Sequence, residues 1–126
     1  MPLDIQIKRT MEGPAAGTIT VEVNGTLDAG TSPALEAKLS PILGNPVKNL
    51  VFDLGKLSFI SSAGLRVLLA SYKKVKADGG QASFVNMQPQ IREVFDIIQA
   101  LPGVAVFKDM AELDAYLARR QNEHHG

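Results

Sequence analysis

Apolar and polar residues alternate at the start of the chain, where Leu3, Ile5 and Ile7 are separated by Asp4, Gln6 and Lys8. A period of two predicts a half-buried strand. Glu12-Gly13-Pro14 and Gly17 supply turn chemistry, and then Ile19, Val21 and Val23 alternate with Thr18, Thr20 and Glu22. The two alternating runs therefore predict a hairpin. Asn24 to Gly30 closes the second strand and leads into Thr31-Ser32-Pro33. Thr31 or Ser32 suits an N-cap, with Pro33 in the first turn, where its missing N–H costs nothing. Leu35, Leu39, Ile42 and Leu43 mark a first helix ended by Gly44-Asn45-Pro46. Pro41 lies late in it and predicts a kink or an early end.

The centre of the chain is Leu50 to Tyr72. Leu50-Val51-Phe52 is a continuous apolar run, which suits a strand covered on both faces. After Gly55 a short connection carries Leu57, Phe59 and Ile60 and reaches Ser61-Ser62. Leu65, Leu68, Leu69, Tyr72 and Val75 then recur at helical spacing, so a helix begins on a hydroxyl and stops at Asp78-Gly79-Gly80. Ala82 to Val85 reads as a short strand. Pro89 and Gln90 open a third helix with Ile91, Val94, Phe95 and Ile98 on one face, terminated by Leu101-Pro102-Gly103. Val104 to Phe107 reads as a last strand, and Asp109 as the cap of a last helix carrying Leu113, Tyr116 and Leu117. Successive strand–helix–strand units imply parallel neighbours joined by right-handed crossovers. The expected architecture is one α/β domain over residues 1–118, with about four helices and a mixed sheet whose central strands are mostly parallel. Residues 119–126 are expected to form a flexible polar tail.

Composition narrows the function classes. The chain has 126 residues, 45% apolar and 21% charged, enough to bury a core without disulfides or a structural metal. Cysteine is absent, which excludes disulfides, zinc–thiolate sites and thiol nucleophiles. Thirteen basic residues balance thirteen acidic ones, so no global charge draws the chain to nucleic acid or to an anionic membrane. No apolar run approaches the roughly 20 residues of a transmembrane helix. The alternating N-terminus lacks the apolar core of a signal peptide, and a cytoplasmic protein is the expectation.

The residues offer little for catalysis. A serine between a strand and a helix resembles a nucleophile elbow, but that motif needs Gly-x-Ser-x-Gly and a histidine base. Here the order is Ile60-Ser61-Ser62-Ala63-Gly64, and the histidines are His124 and His125 in the predicted tail. Gly79-Gly80 follows a helix rather than opening one, so it makes no phosphate loop. Asp28, Asp53 and Asp78 are scattered. No catalytic residue, metal ligand or cofactor is assigned, and a small hydrolase using Ser62 ranks last among the function classes.

Ser62 is better suited to accept chemistry than to perform it. A helix N-terminus carries unpaired N–H groups and the positive end of the dipole, so a phosphate on Ser62 would lie where negative charge is favoured. Such a modification leaves the fold intact and turns a neutral surface strongly negative. Arg66, one turn further on, leans toward the same end and can partly pair with that charge. The plainer alternative is that Ser61 and Ser62 only cap the helix. Lys73, Lys74 and Lys76 lie beyond the apolar stripe and are expected to form a solvated face.

Two segments resemble a known family: Gly25-Thr26-Leu27-Asp28 after the second strand, and Phe59 to Leu68 at the strand–helix junction. With the order of elements, from about Leu3 to Leu117, they are similar to the STAS domain, and more narrowly to stand-alone bacterial anti-sigma factor antagonists. The resemblance implies the STAS fold and a partner that is both anti-sigma factor and serine-protein kinase. That partner binds the dephosphorylated antagonist, which frees a sigma factor, and then phosphorylates it, which ends binding; a phosphatase resets the switch. Carried over by position, the phosphorylated serine is Ser62, and the acidic residue of the Gly-x-Leu-Asp turn near the partner surface is Asp28. Gly64 and Leu65 match the residues that follow the phosphosite. Many members carry an acidic residue where this chain has Ser61, which makes Ser61 a secondary acceptor, and a second hydroxyl where it has Ala63. The expected partner surface is Asp28, Ser61, Ser62, Gly64 and Arg66. Asp28 as a turn former and Gly64 as a packing glycine are the alternatives at those positions. The runner-up function is a STAS module that is never phosphorylated and serves as a scaffold in a transporter-associated or stress-sensing assembly.

Overall fold

The computed structural model describes residues 3–14, 16–100 and 110–123. The strand expected at Val104 to Phe107, the Asp109 cap and both histidines lie outside these residues. The predicted hairpin forms: β1 (Asp4–Thr10) pairs antiparallel with β2 (Thr18–Leu27), Ile5 opposite Val23 and Ile7 opposite Val21. α1 (Ser32–Leu43) follows, then β3 (Asn49–Asp53), β4 (Leu57–Ile60), α2 (Ser62–Ala77), β5 (Gln81–Val85), α3 (Pro89–Ala100) and α4 (Met110–Glu123). The strand order is β1-β2-β3-β5, with β3 parallel to both of its neighbours. None of these helices is long and apolar enough to cross a membrane.

The core forms where alternation and helical stripes meet. Ile19, Val21 and Val23 of β2, Leu50 and Phe52 of β3, Leu35 and Leu39 of α1, and Leu65, Leu68 and Val75 of α2 are all buried in one cluster. Phe84 of β5 stacks between Phe52 and Tyr72, with ring centroids 5.4 and 5.7 Å apart, and so ties α2 to the sheet. The apolar run of β3 behaves differently from the expectation. Leu50 and Phe52 are fully buried while Val51 is half-buried and stands outside the core cluster. The strand is central because it has neighbours on both edges, but its two faces are unequally covered. α1 continues to Leu43 past Pro41, which lies in the last turn.

What the sequence presents as a connection, Leu57 to Ile60, is a strand of its own. On the edge away from β1, β2 is long enough for two partners. Thr18 to Glu22 pair with β3, and Gly25 to Leu27 pair in parallel with β4. The register shifts between Gly25 and Thr26, and Gly25 has φ +102°, a conformation open to glycine that lets the end of β2 swing toward its second partner. A turn at Leu54 to Leu57 joins β3 to β4: the Leu57 N–H donates to the Leu54 carbonyl at 3.1 Å, and the Lys56 carbonyl accepts from the Gly25 N–H at 2.8 Å. β4 delivers the chain to Ser61, whose N–H donates to the Leu27 carbonyl at 2.9 Å.

α4 is longer than the sequence pattern suggests. It runs to Glu123, so the tail expected from Arg119 is helical at least that far. Leu113, Leu117 and Gln121 are buried at successive i, i+4 positions. Gln121 was hidden by its polarity: its Oε1 accepts from the Ile60 N–H at 2.8 Å and its Nε2 donates to the Ile60 carbonyl at 2.7 Å. One side chain thus satisfies both backbone groups at the end of β4. Arg120 donates to Glu93 of α3 through Nε at 2.7 Å and through a terminal nitrogen. That hydrogen bond, more than the charge of Glu93, raises the guanidinium pKa from its ordinary value.

Candidate functional site: the rim where alpha2 begins

Three segments converge at the start of α2: the turn after β2, the end of β4, and the middle of α4. The turn is built by Asp28. Its Oδ1 accepts from the Gly30 N–H at 2.9 Å and the Thr31 N–H at 3.1 Å, and its carbonyl accepts from the Ser32 hydroxyl at 2.5 Å. Thr31 is the N-cap residue of α1 by position, yet its hydroxyl makes no capping bond. It donates to the Thr26 carbonyl and accepts from the Asp28 N–H, both at 2.9 Å. Asp28 is therefore a turn former that holds the start of α1, and it remains half-buried at the rim.

At α2 the serine pair divides its work. Ser61 is the N-cap, in extended conformation, and its hydroxyl accepts from the Gly64 N–H at 3.4 Å. Ser62 is the first helical residue rather than the cap. Its hydroxyl makes no hydrogen bond among the described residues, and its backbone N–H donates to Oδ1 of Asp114 on α4 at 2.7 Å. Both serines are buried, Ser61 at 9% and Ser62 at 8% exposure, which the sequence did not suggest for a modification site. Ser62 opens onto a shallow groove of about 390 Å³ whose walls include Leu65, Arg66, Lys73 and Leu113. Arg66 is exposed and also lines a second groove of about 210 Å³, shared with Ala29, Ser32 and Ala63. The arginine thus connects the Ser62 groove to the α1 side of the rim.

Gly64 does not face outward. It is buried, and a Cβ built on it would lie 2.6 Å from Cγ of Leu27 and 2.8 Å from the Leu27 carbonyl oxygen. It serves the close approach of α2 to β2, and of the five expected partner residues Asp28, Ser61, Ser62 and Arg66 remain at the rim. Lys73, Lys74 and Lys76 are exposed, and Lys74 pairs with Asp78 at 2.8 Å. Asp53 accepts from the Gly55 N–H, so the three scattered aspartates each have separate structural partners. Among the described residues no group of three or more acidic or histidine side chains is placed to hold a metal ion.

Two residues of the site lay outside the sequence expectation, Asp114 and Gln121. The only signal for Gln121 was its i, i+4 continuation of Leu113 and Leu117. Removing it leaves the Ile60 N–H and carbonyl buried without partners, a penalty of about 1–3 kcal/mol for an unsatisfied group. Gln121→Leu, which keeps the volume and loses the bonds, is expected to lower stability by about 2 kcal/mol in urea denaturation followed by circular dichroism.

A mixed, mainly parallel sheet, helices packed on its apolar side and a serine-opened helix at its rim place the chain among α/β domains of one particular build. Residues 10–113 match the STAS domain, and the chain belongs to that family. It is 35% identical over 81 residues to BtrV of Bordetella bronchiseptica, a candidate anti-sigma factor antagonist, with 64% of this chain and 70% of that protein covered. It is 33% identical over 79 residues to the anti-sigma-B factor antagonist of Bacillus subtilis, covering 63% and 72% respectively. Solved structures of the anti-sigma factor antagonist SpoIIAA share the fold. The unphosphorylated form superposes with a TM-score of 0.61 at 23% identity, covering 75% of this chain and 83% of that one. The phosphorylated form gives 0.59 at 24% identity, covering 75% and 82%.

Proposed function

We propose that this chain is an anti-sigma factor antagonist that acts in the cytoplasm by binding, with phosphorylation of Ser62 as its off-switch. Its partner is an anti-sigma factor that is also a serine-protein kinase, docked on the rim of the Asp28 turn, Ser61, Ser62 and Arg66; a phosphatase restores the binding form. Sequestering the anti-sigma factor frees a sigma factor for transcription. The observation that carries this reading is the hydroxyl of Ser62, without a hydrogen bond among the described residues, at the first position of α2 and beside an exposed arginine. The names of the relatives support the antagonist role, and a solved phosphorylated form of SpoIIAA supports the reading that this fold can carry a phosphate.

In the proposed transfer, Ser62 Oγ forms a bond to the γ-phosphorus of ATP as the bond to the β–γ bridging oxygen breaks. ADP leaves, and the hydroxyl proton passes to the kinase's base. Ser62 is the better acceptor of the pair because Ser61 Oγ is already engaged as the helix cap. An interface formed around a neutral hydroxyl would have to desolvate a dianion after transfer, which disfavours the complex.

The test is the intact mass of the chain after incubation with its candidate kinase and ATP. Wild type and Ser61→Ala are expected to gain one phosphate and Ser62→Ala none. Ser62→Asp is expected to weaken kinase binding by about tenfold or more. A stable kinase complex in which the wild type never gains phosphate would overturn the switch and favour the unphosphorylated scaffold.

A further inference from the structure

Three of the N–H groups in the first turn of α2, where a phosphate on Ser62 would lie, already have acceptors. The Gly64 N–H donates to Ser61 Oγ, the Leu65 N–H to the Ser61 carbonyl at 2.9 Å, and the Ser62 N–H to the Asp114 carboxylate. Asp114 is thus a carboxylate placed on the donor closest to the Ser62 side chain, at the positive end of the α2 dipole. It is delivered there by a helix fixed on both sides of it. Leu113 and Leu117 are buried, Gln121 grips both backbone groups of Ile60, and Arg120 holds Glu93 of α3. The same docking leaves Ser62 only 8% exposed, with Leu113 forming a wall of its groove.

We propose that α4 is an internal competitor for the start of α2. Docked, its Asp114 occupies the position of the phosphate and its body shields the Ser62 hydroxyl; phosphorylated Ser62 expels it. Two consequences follow, and the second rests on the reading of Ser62 as the phosphosite. A dianion on Ser62 and the Asp114 carboxylate cannot share one N–H at contact distance without strong repulsion, so modification loosens α4. In turn, a kinase reaches Ser62 only in the fraction of molecules whose α4 has lifted, so the helix sets the rate of the off-switch. The contact joins α4 to α2 through Asp114 and needs no change in the sheet.

The decisive comparison uses chains with phosphoserine incorporated at position 62 during synthesis, which removes the kinase from the question. Amide hydrogen exchange over Met110 to Glu123 is measured in the unmodified chain, the phosphoserine chain, Asp114→Asn, and phosphoserine with Asp114→Asn. Phosphoserine is expected to speed exchange of α4 by about tenfold or more. Asp114→Asn is expected to restore most of the protection in the phosphoserine background, because asparagine keeps the acceptor and loses the charge. Equal α4 exchange with and without phosphoserine would overturn the proposal, as would loosening that Asp114→Asn leaves unchanged. With the kinase, Asp114→Asn is expected to raise the initial phosphorylation rate about threefold, the loss of a charge–dipole contact. If the kinase phosphorylates neither chain, the reading of Ser62 fails, while the exchange comparison still decides whether α4 competes for the α2 N-terminus.

Discussion

Gly80→Ala is expected to be the most damaging glycine-to-alanine change among the described residues, lowering stability by about 3 kcal/mol or more. A Cβ on Gly80 would lie 1.9 Å from the Val47 carbonyl oxygen and 2.9 Å from Cγ1 of Val75. The first obstacle is backbone and cannot rotate away. It is also held in place by its neighbour: Gln81, the residue after Gly80, donates its N–H at 2.9 Å to the carbonyl of Lys48, the residue after Val47, where β3 and β5 begin to run side by side. The methyl group must either part these strands or pull Gly80 off the end of α2, where its N–H donates to the Val75 carbonyl at 2.9 Å. Gly79 provides the contrast. It has φ +88° with nothing within 4 Å of a built Cβ, and its N–H donates to the Lys76 carbonyl, the left-handed position of a Schellman cap. Gly79→Ala therefore meets only conformational strain, about 1 kcal/mol. Urea denaturation should separate the two variants clearly, with Gly80→Ala shifted by the larger amount. Its thermal midpoint should fall by about 10 °C or more. Equal losses at the two positions would mean that β3 and β5 have room to yield.

The parts of this fold that were legible are those whose partners lie nearby in sequence. The hairpin shows as two alternating runs around a glycine turn, and α2 as an apolar stripe between a serine and a glycine pair. β4 was illegible for a physical reason. It is four residues long, its apolar positions Leu57, Phe59 and Ile60 follow neither period, and its partner is the far end of a strand that already serves β3. The last turns of α4 were read as a tail because hydrophobic periodicity ignores glutamine, whereas Gln121 is buried through its hydrogen bonds. At the site, the junction of Ser61 and Ser62 was visible as a hydroxyl preceding a helical stripe. Which serine caps could not be read from composition, since either hydroxyl is chemically able to do so. The Asp114 contact spans 52 residues and depends on how α4 docks, so no local pattern encodes it.

Gly64→Ala is expected to damage the fold and the site together. The added methyl would meet the Leu27 side chain at 2.6 and 3.0 Å and the Leu27 carbonyl oxygen at 2.8 Å. Leu27 is fully buried and cannot yield, because its carbonyl also receives the Ser61 N–H and its strand position is locked opposite Ile60. The first turn of α2 must therefore lift away from β2, at a cost of about 2–3 kcal/mol. Unlike the Gly80 variant, the displaced segment here is the rim itself. Ser61 loses its reach to the Gly64 N–H, and Ser62 moves relative to Asp114. Binding to the proposed anti-sigma partner should accordingly fall by more than the unfolded fraction explains. That comparison is made by titrating the partner at a temperature where circular dichroism shows Gly64→Ala still folded. Wild-type affinity in the folded variant would mean that the partner does not read the start of α2, and the docking surface would have to be sought away from Ser62.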